Sequence, residues 1–343
     1  FFFAYNLIMK KILLLFLISL LSLQLNANEY FGDIRLEGVK ISSNNTSNNE
    51  SFLWRTRIGT SLEKNNSIIN ILGTFQDDEF GSLNNEDAAL ERGNVYWKQD
   101  WGFVYTGRMP GDFFGNNLLF DSGENNGDNS SFDGIYIKGE SLFSETGHLD
   151  FIWAKQNNDQ TDKGINVFST RVNLAYSSSD LNFGITSASN NDTNNALGTN
   201  EDWSAVFMST SHQLGKTSLK IEYLQSDGNN GLGANNPLAK KRDSAYLLQL
   251  NLPIKENFSM GFNYGAWEPG ALLPNWGSMG KGTFIFSDGS INSSGANNPF
   301  SKGEIIRYSV RLNSNWEINW DVSKNITSNE KEERISIVFF DNY

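Results

Sequence analysis

The residues best placed to interact with solutes are nine arginines, which lie in segments where apolar and polar residues alternate. The chain has ten arginines, and all except Arg242 lie in segments where large apolar residues recur at every second position. Each of the nine occupies the phase opposite those apolar residues: Arg35, Arg55, Arg57, Arg92, Arg108, Arg171, Arg307, Arg311 and Arg334. A guanidinium is permanently charged and carries five N–H donors. The pattern therefore indicates one wet surface with fixed positive charge, which can order water and sort ions.

Acidic side chains share the phase of the arginines, so the wet surface carries both signs. The acidic positions in this phase are Asp33, Glu37, Asp150, Glu222, Glu317 and Asp321. Such a surface discriminates between solutes by size and charge. The preferred ion stays open at this point, because inward arginines favour anions and acidic loop residues favour cations.

Residues suited to catalysis or metal binding are scarce. The chain has two histidines, His148 and His212, and no cysteine, which excludes thiol catalysis and cysteine metal sites. A serine–histidine hydrolase stays open, since serines are common and His148 neighbours Asp150, but no motif supports it. The Asn- and Asp-rich stretch 121–134 offers oxygen ligands without the spacing of a calcium loop. We therefore predict no enzymatic activity, no cofactor and no metal site.

The elements that carry these residues read as β-strands, because alternation with a period of two recurs and helical periodicity does not. In "WGFVYTGR", for example, Phe103 and Tyr105 fall opposite Arg108. We predict sixteen strands, near 29–40, 52–62, 66–76, 90–98, 101–108, 131–139, 148–156, 166–176, 180–188, 203–213, 216–226, 243–253, 256–267, 304–313, 316–323 and 332–343. Alternation is blurred in 66–76 and 203–213, so fourteen or eighteen strands stay possible.

The connections between these strands alternate in length. One series is short, at 63–65, 99–100, 177–179, 214–215, 254–255 and 314–315, with 140–147 as its longer member. The other is long and polar, at 41–51, 77–89, 109–130, 157–165, 189–202, 227–242, 268–303 and 324–331. Strands of about 9–11 residues are long enough to cross a bilayer when tilted. We therefore predict an all-β, transmembrane, antiparallel up-and-down β-barrel with short periplasmic turns and long extracellular loops.

The first residues predict export. Residues 9–27, "MKKILLLFLISLLSLQLNA", have a positive start, an apolar centre and a small residue at the cleavage point, which is typical of a cleaved signal peptide. Residues 1–8 precede this methionine and are interpreted as upstream sequence translated by mistake. Residues 28–343 then form a single barrel domain. The net charge of −12 argues against nucleic acid as a partner.

Three stretches resemble a known family. "WRTRIGTSLE", "VYTGRMPGDFFGNNLLFD" and "FDGIYIKG" resemble the porins of Gram-negative bacteria and, more loosely, barrels of the alginate-export type. The terminal Tyr343, preceded by Phe339, Ile337 and Ile335, resembles the signature that the barrel assembly machinery recognises. The resemblance implies location in the bacterial outer membrane, contact with its lipid and lipopolysaccharide, and a homotrimer.

The resemblance also implies a role for the loop 109–130, because the third long loop of sixteen-stranded porins folds into the bore and narrows it. An apolar side of the loop would pack on the inner wall through Phe113, Phe114, Leu118, Leu119 and Phe120. Its carboxylates Asp112, Asp121, Glu124 and Asp128 would then face Arg55, Arg57, Arg92 and Arg171 across the opening. The long loop 268–303 is the other segment that could occlude the bore.

The predicted function is therefore a water-filled channel for passive diffusion of small hydrophilic solutes. A substrate-specific channel for oligosaccharide or acidic polymer shares the same fold and is the main alternative. An outer-membrane enzyme or a non-conducting adhesion barrel would also be compatible with this fold.

Overall fold

The residues that the structure describes fold into β-strands joined by turns. The computed structural model describes residues 29–43, 49–77, 87–110, 131–144, 147–156, 165–189, 203–227, 242–269, 271, 302–312, 315–327 and 329–342. The predicted signal peptide 9–27 and the residues 1–8 lie outside this part of the chain. No helix long and apolar enough to cross a bilayer occurs among the residues just given.

Sixteen strands form one sheet within the described residues. In chain order they are β1 (Glu29–Ser43), β2 (Asn49–Lys64), β3 (Ser67–Asp77), β4 (Asp87–Gln99), β5 (Gly102–Pro110), β6 (Ser131–Ser144), β7 (Gly147–Gln156), β8 (Ile165–Tyr176), β9 (Ser179–Ser189), β10 (Trp203–Leu214), β11 (Thr217–Ser226), β12 (Asp243–Lys255), β13 (Phe258–Trp267), β14 (Gly303–Leu312), β15 (Trp316–Asn325) and β16 (Glu330–Asn342). Each strand pairs antiparallel with its neighbours in sequence. The predicted strand number and up-and-down order are confirmed.

The sheet closes on itself through its first and last strands. β1 pairs with β16 from Asp33–Asn342 to Ser43–Glu332, and the sheet is a closed barrel. Closure matters because a free strand edge exposes unpaired backbone N–H and C=O groups, and a closed barrel has no such edge.

The two ends of the barrel differ in the length of their connections, as the sequence predicts. At one end, which we call the short-turn end, links such as 65–66, 177–178, 215–216 and 256–257 join strands directly. At the other end, the long-loop end, the connections include 111–130, 227–242 and 268–302. Gly215 has a φ of 66°, a left-handed conformation that suits a two-residue hairpin turn.

Several connections are shorter than the sequence predicts, 140–147 and 324–331 among them. β6 continues to Ser144, with a register shift between Glu140 and Ser144, so the predicted longer turn 140–147 shrinks to 145–146. β15 and β16 extend to Asn325 and from Glu330, which leaves four residues of the predicted loop 324–331. In β15 and β16 polar residues continue the strands, because Lys324 pairs with Lys331 and Asn325 with Glu330.

The strands have an apolar outward face and a largely polar inner face. Directly opposed residues of antiparallel strands share a face, so the register assigns faces all round the barrel. The outward face exposes many large apolar side chains, among them Ile58, Trp153, Phe168, Ile185, Val206, Met208, Ile221, Tyr308, Trp320, Ile335 and Ile337. Buried polar and charged residues occupy the opposite phase, for example Asp150, Arg171, Glu222 and Arg307.

β5 has the opposite phase from the one that the sequence predicts. The register pairs Tyr105 with Tyr136, whose ring stacks on that of Tyr105 at a centroid distance of 5.8 Å. Tyr136 is two residues from Lys138, which pairs in register with Asp150 on the inner face. Phe103 and Tyr105 therefore face the interior, because they complete an aromatic cluster with Tyr136 there.

Candidate pore lining

The inner face divides into two regions, of which the first lies towards the long-loop end. It consists of buried, mostly apolar side chains from β5 to β14 together with Ala271, which follows β13. We call this region the apolar patch, and its members are Met109, Tyr136, Ile152, Ala154, Val167, Ala188, Trp203, Ala205, Phe207, Leu224, Ala245, Leu247, Trp267, Ala271 and Ile305. A surface that faced open water would leave such side chains exposed, so this part of the inner wall is dry.

Glycines on neighbouring strands let the aromatic rings of the apolar patch lie against the wall. A Cβ atom at Gly184 would lie 2.7 Å from Cζ of Phe207, its register partner on β10. A Cβ atom at Gly303 would lie 2.1 Å from Cζ2 of Trp267 on β13. The rings therefore cover the bare backbone of the adjacent strand, an arrangement that compensates for glycine within a sheet.

The second region carries cross-strand ion pairs. Arg57 Nε donates to Asp33 Oδ2 at 2.5 Å, and Arg311 Nη2 donates to Glu317 Oε2 at 2.9 Å. Arg307 Nη2 donates to Asp321 Oδ2 at 2.6 Å. In each case arginine and carboxylate are direct partners in the register of adjacent strands. The expected inner surface with both signs of charge is thus present as pairs within the wall.

A fourth pair of the same kind lies beneath the apolar patch. Arg171 Nε donates to Asp150 Oδ2 at 2.7 Å, and the two residues are register partners on β8 and β7. Asp150 is fully buried, with 0% of its side chain exposed, whereas the side chain of Arg311 is 41% exposed. The predicted pore-lining arginines therefore differ in environment: Arg171 and Arg307 are buried in the wall, and Arg311 faces the bore.

Pairing within the wall changes the electrostatics that the sequence suggested. The acidic residues expected to oppose the arginines across the bore, Asp112, Asp121, Glu124 and Asp128, lie outside the described residues. Arg57 and Arg171 each already have a carboxylate on the adjacent strand. A nearby carboxylate cancels much of the field of a guanidinium, so these pairs weaken a transverse field across the bore.

Part of this pairing is visible in the sequence. Arg307 with Asp321 and Arg311 with Glu317 are placed symmetrically about the tight connection 313–315, so a hairpin register brings both pairs together. Arg57 with Asp33 and Arg171 with Asp150 are joined through long loops instead. Loop length does not fix the register of such strands. None of the four pairs was predicted, and only the two about 313–315 could have been found from the sequence.

Arg108 was predicted to line the pore, and the structure places it elsewhere. Its register partner is Asp133, and Asp133 in turn opposes Lys155, which lies in the same phase as the exposed Trp153. Arg108 therefore lies on the outward face, where its Nε donates to Asp133 Oδ1 at 3.0 Å. The prediction was wrong because Arg108 is near the long-loop end, where an outward arginine costs only about 0–1 kcal/mol. The side chains of Arg55 and Arg92 lie outside the described part of the chain.

The histidines lie on opposite faces of the barrel. His148 Nε2 is 3.6 Å from Asp150 Oδ2 on the inner face. His212 is on the outward face, with Nδ1 2.7 Å from Ser179 Oγ and Nε2 3.1 Å from Thr210 Oγ1. Both ring nitrogens of His212 thus contact hydroxyls, whereas a catalytic triad needs a carboxylate or amide to orient the imidazole. No group of three or more potential metal ligands occurs within the ranges that the structure describes.

Comparison with known proteins identifies relatives by structure alone. No family model and no curated protein matches the sequence. OmpF of Salmonella typhi, solved in complex with daunomycin, is similar with a TM-score of 0.60 and 10% identity over 91% of this chain and 97% of OmpF. The outer membrane channel DcaP of Acinetobacter baumannii is similar with a TM-score of 0.58 and 9% identity over 92% of this chain and 96% of DcaP.

A third similar structure is OmpT of Vibrio cholerae, an outer membrane protein described in a trimer form. Its TM-score is 0.54 at 11% identity, over 91% of this chain and 98% of OmpT. The alignments cover nearly the whole barrel in every case. The chain therefore has the fold of these outer-membrane proteins.

Proposed function

We propose that the protein is a bacterial outer-membrane porin, a water-filled channel through which small hydrophilic solutes diffuse passively. The observation that carries the proposal is the difference between the two faces of a closed barrel, of which the outer face is apolar and the inner face is largely polar. Ion pairs line part of the interior, while large apolar side chains are exposed outside. A wall with this polarity encloses water and contacts hydrocarbon.

The outward apolar surface supports a membrane location. Side chains such as Trp153, 61% exposed, and Ile185 would be unfavourable over so large a continuous area in water. Contact of the same surface with lipid acyl chains is favourable. Tyr176 and Trp316 near the short-turn end, with Tyr246 near the long-loop end, suit the aromatic girdles of a bilayer interface.

The burial of the apolar patch supports a constriction at the long-loop half of the bore. We place residues 109–130 on this patch, because Met109 at the start of the loop is already buried in it. Phe113, Phe114, Leu118, Leu119 and Phe120 would supply the facing apolar surface. The loop 268–303 is the second candidate, since Trp267 and Ala271 at its start also belong to the patch.

Assembly and partners follow from the same proposal. A homotrimer is supported by the trimer form described for the similar OmpT of Vibrio cholerae. The outward face would contact lipid and lipopolysaccharide, and the final strand would be the segment recognised by the barrel assembly machinery. The proposal includes no catalytic step and no cofactor.

Conductance of the purified protein in planar lipid bilayers tests the channel. We expect a steady ion current without any added partner, because nothing in a passive channel needs an energy source. The absence of an ion current would overturn the proposal in favour of a non-conducting adhesion barrel. Release of fatty acid from the supporting lipid would instead indicate an enzyme.

Deletion of residues 113–120 tests the constriction. The variant should conduct more per channel than the wild type, because the narrowest part of the bore is widened. Deletion of eight residues from the other long loop, 283–290, is the matched control and should leave the conductance unchanged. If only the control deletion raised the conductance per channel, the constriction would be assigned to the loop 268–303.

A further inference from the structure

A polar cavity in the inner wall goes beyond what passive diffusion requires. It has a volume of about 460 Å³ and lies on β11 to β15 in the half of the bore nearer the short-turn end. We call it the polar cavity. Its lining includes Lys220, Gln249, Asn251, Asn263, Ser309 and Arg311.

Side-chain amides are concentrated on two adjacent strands of this cavity. Gln249 and Asn263 are register partners on β12 and β13, and Asn251 is the next inward residue of β12. Each amide presents an acceptor oxygen and two N–H donors in one plane. Neighbouring hydroxyls on a sugar present a donor and an acceptor side by side, which a planar amide matches with two hydrogen bonds.

The charges around the cavity are balanced. Among the described residues that line it, the three cationic side chains each have a carboxylate partner: Lys220 Nζ is 2.6 Å from Glu222 Oε1, Arg307 pairs with Asp321, and Arg311 pairs with Glu317. Three positive and three negative groups sum to a formal charge of zero. An anionic ligand would have to compete with a wall carboxylate for its cation, so the cavity favours a neutral ligand.

The shape of the cavity depends on a glycine. A Cβ atom at Gly261 would lie 2.2 Å from Ser309 Oγ, so the missing side chain lets the Ser309 hydroxyl lie close to the wall. No aromatic side chain is among the described residues that line the cavity, so binding would rest on hydrogen bonds. The volume falls in the range of about 300–1,000 Å³ that is usual for small-molecule sites.

We propose that the polar cavity binds neutral, polyhydroxylated solutes of monosaccharide to disaccharide size as they cross the channel. The inference rests on the proposed porin function and adds a solute class to it. Binding must be weak, because a solute that crosses the channel has to dissociate from the cavity again. A weakly bound sugar in the wall reduces the space for ions, so it lowers the ion current in a saturable way.

Glucose and gluconate test the proposal, because they share a carbon skeleton and differ in charge. Ion current through single channels is recorded in planar bilayers with increasing concentrations of each. We expect glucose to lower the current to a plateau and gluconate to act only at higher concentration. The Asn251→Ala/Asn263→Ala variant should weaken the apparent glucose affinity at least tenfold, because each lost hydrogen bond contributes a factor of about two to ten.

The matched control is Asn173→Ala/Asn182→Ala, which removes two hydrogen-bonded asparagines from β8 and β9 outside the cavity. This variant should keep the wild-type glucose affinity, and the current without sugar verifies that each variant has folded. Equal losses in both variants would overturn the assignment to the cavity. Stronger block by gluconate, or a glucose effect that never saturates, would overturn the proposed solute class. Absence of any current without sugar would overturn the porin proposal itself.

Discussion

The apolar patch and the polar cavity share strands β11 to β14, yet one is dry and the other is wet. β11 carries Ser218 and Lys220 in the polar cavity and Leu224 in the apolar patch. β14 carries Arg311 in the cavity and Ile305 in the patch. The inward rows of side chains therefore change character along each strand. We infer that the long-loop half narrows the bore and that the short-turn half contacts solutes.

The same chemical pair has a different environment in each of the two regions. Arg171 and Asp150 lie beneath the apolar patch, while Arg311 and Glu317 border the polar cavity. Breaking a buried ion pair leaves one charge without water or partner, whereas a charge left in the bore is simply hydrated. Stability should therefore depend on the first pair much more than on the second.

The largest expected effect is that of Arg171→Met. This change leaves the fully buried Asp150 carboxylate without its guanidinium and should lower the free energy of unfolding by about 3–5 kcal/mol. Arg311→Met, at the exposed pair, should lower it by about 0–1 kcal/mol. Urea unfolding of the protein in lipid vesicles, followed by tryptophan fluorescence, measures both values. If both variants lost the same free energy of unfolding, the two halves of the wall would be equally hydrated.

A second comparison uses two inward residues of one strand. Leu224→Ala removes a fully buried side chain from the apolar patch and should cost about 2–5 kcal/mol. Ser218→Ala, at the other end of β11, should change the free energy of unfolding by less than about 0.5 kcal/mol. The same unfolding assay applies. A cost for Leu224→Ala as small as that for Ser218→Ala would mean that nothing packs against the patch.

The smallest effect concerns ion selectivity. Arg57→Glu replaces a cation of the inner wall beside Asp33 with a second acid, so we expect a modest shift towards cations. Arg108→Glu changes the formal charge equally on the outward face and should leave selectivity unchanged. The reversal potential in a potassium chloride gradient distinguishes the two. A shift for Arg108→Glu as large as that for Arg57→Glu would contradict the assigned faces.

Strand positions and barrel closure could be predicted from sequence because alternation has a physical cause at each position. An outward arginine near the middle of a bilayer costs about 2–4 kcal/mol, so arginines fix the phase of central strand segments. That criterion failed for Arg108, since the cost nearly vanishes at a strand end. Phe103 and Tyr105 were assigned to the wrong face for the same reason, because Arg108 was the guide to the phase of β5.

The dry part of the inner wall could not be predicted, although the sequence carries a trace of it. Alternation is blurred in 203–213, where Ala205 and Phe207 alternate with Val206 and Met208. The structure explains this, because the first two belong to the apolar patch and the last two to the outward face. A strand that is apolar in both phases has no period of two. Contacts made by distant segments decide which inner positions are dry, and local sequence does not encode them.

Thiol labelling tests the division of the wall most directly, because the chain has no cysteine and any introduced thiol is unique. Ser309→Cys lies in the polar cavity, Ala205→Cys in the apolar patch and Val206→Cys on the outward face. With the protein in lipid vesicles, a charged, water-soluble thiol reagent should modify Ser309→Cys rapidly and the other two slowly. Rapid modification of Ala205→Cys would contradict the dry half of the bore, and rapid modification of Val206→Cys would contradict an outward face in lipid.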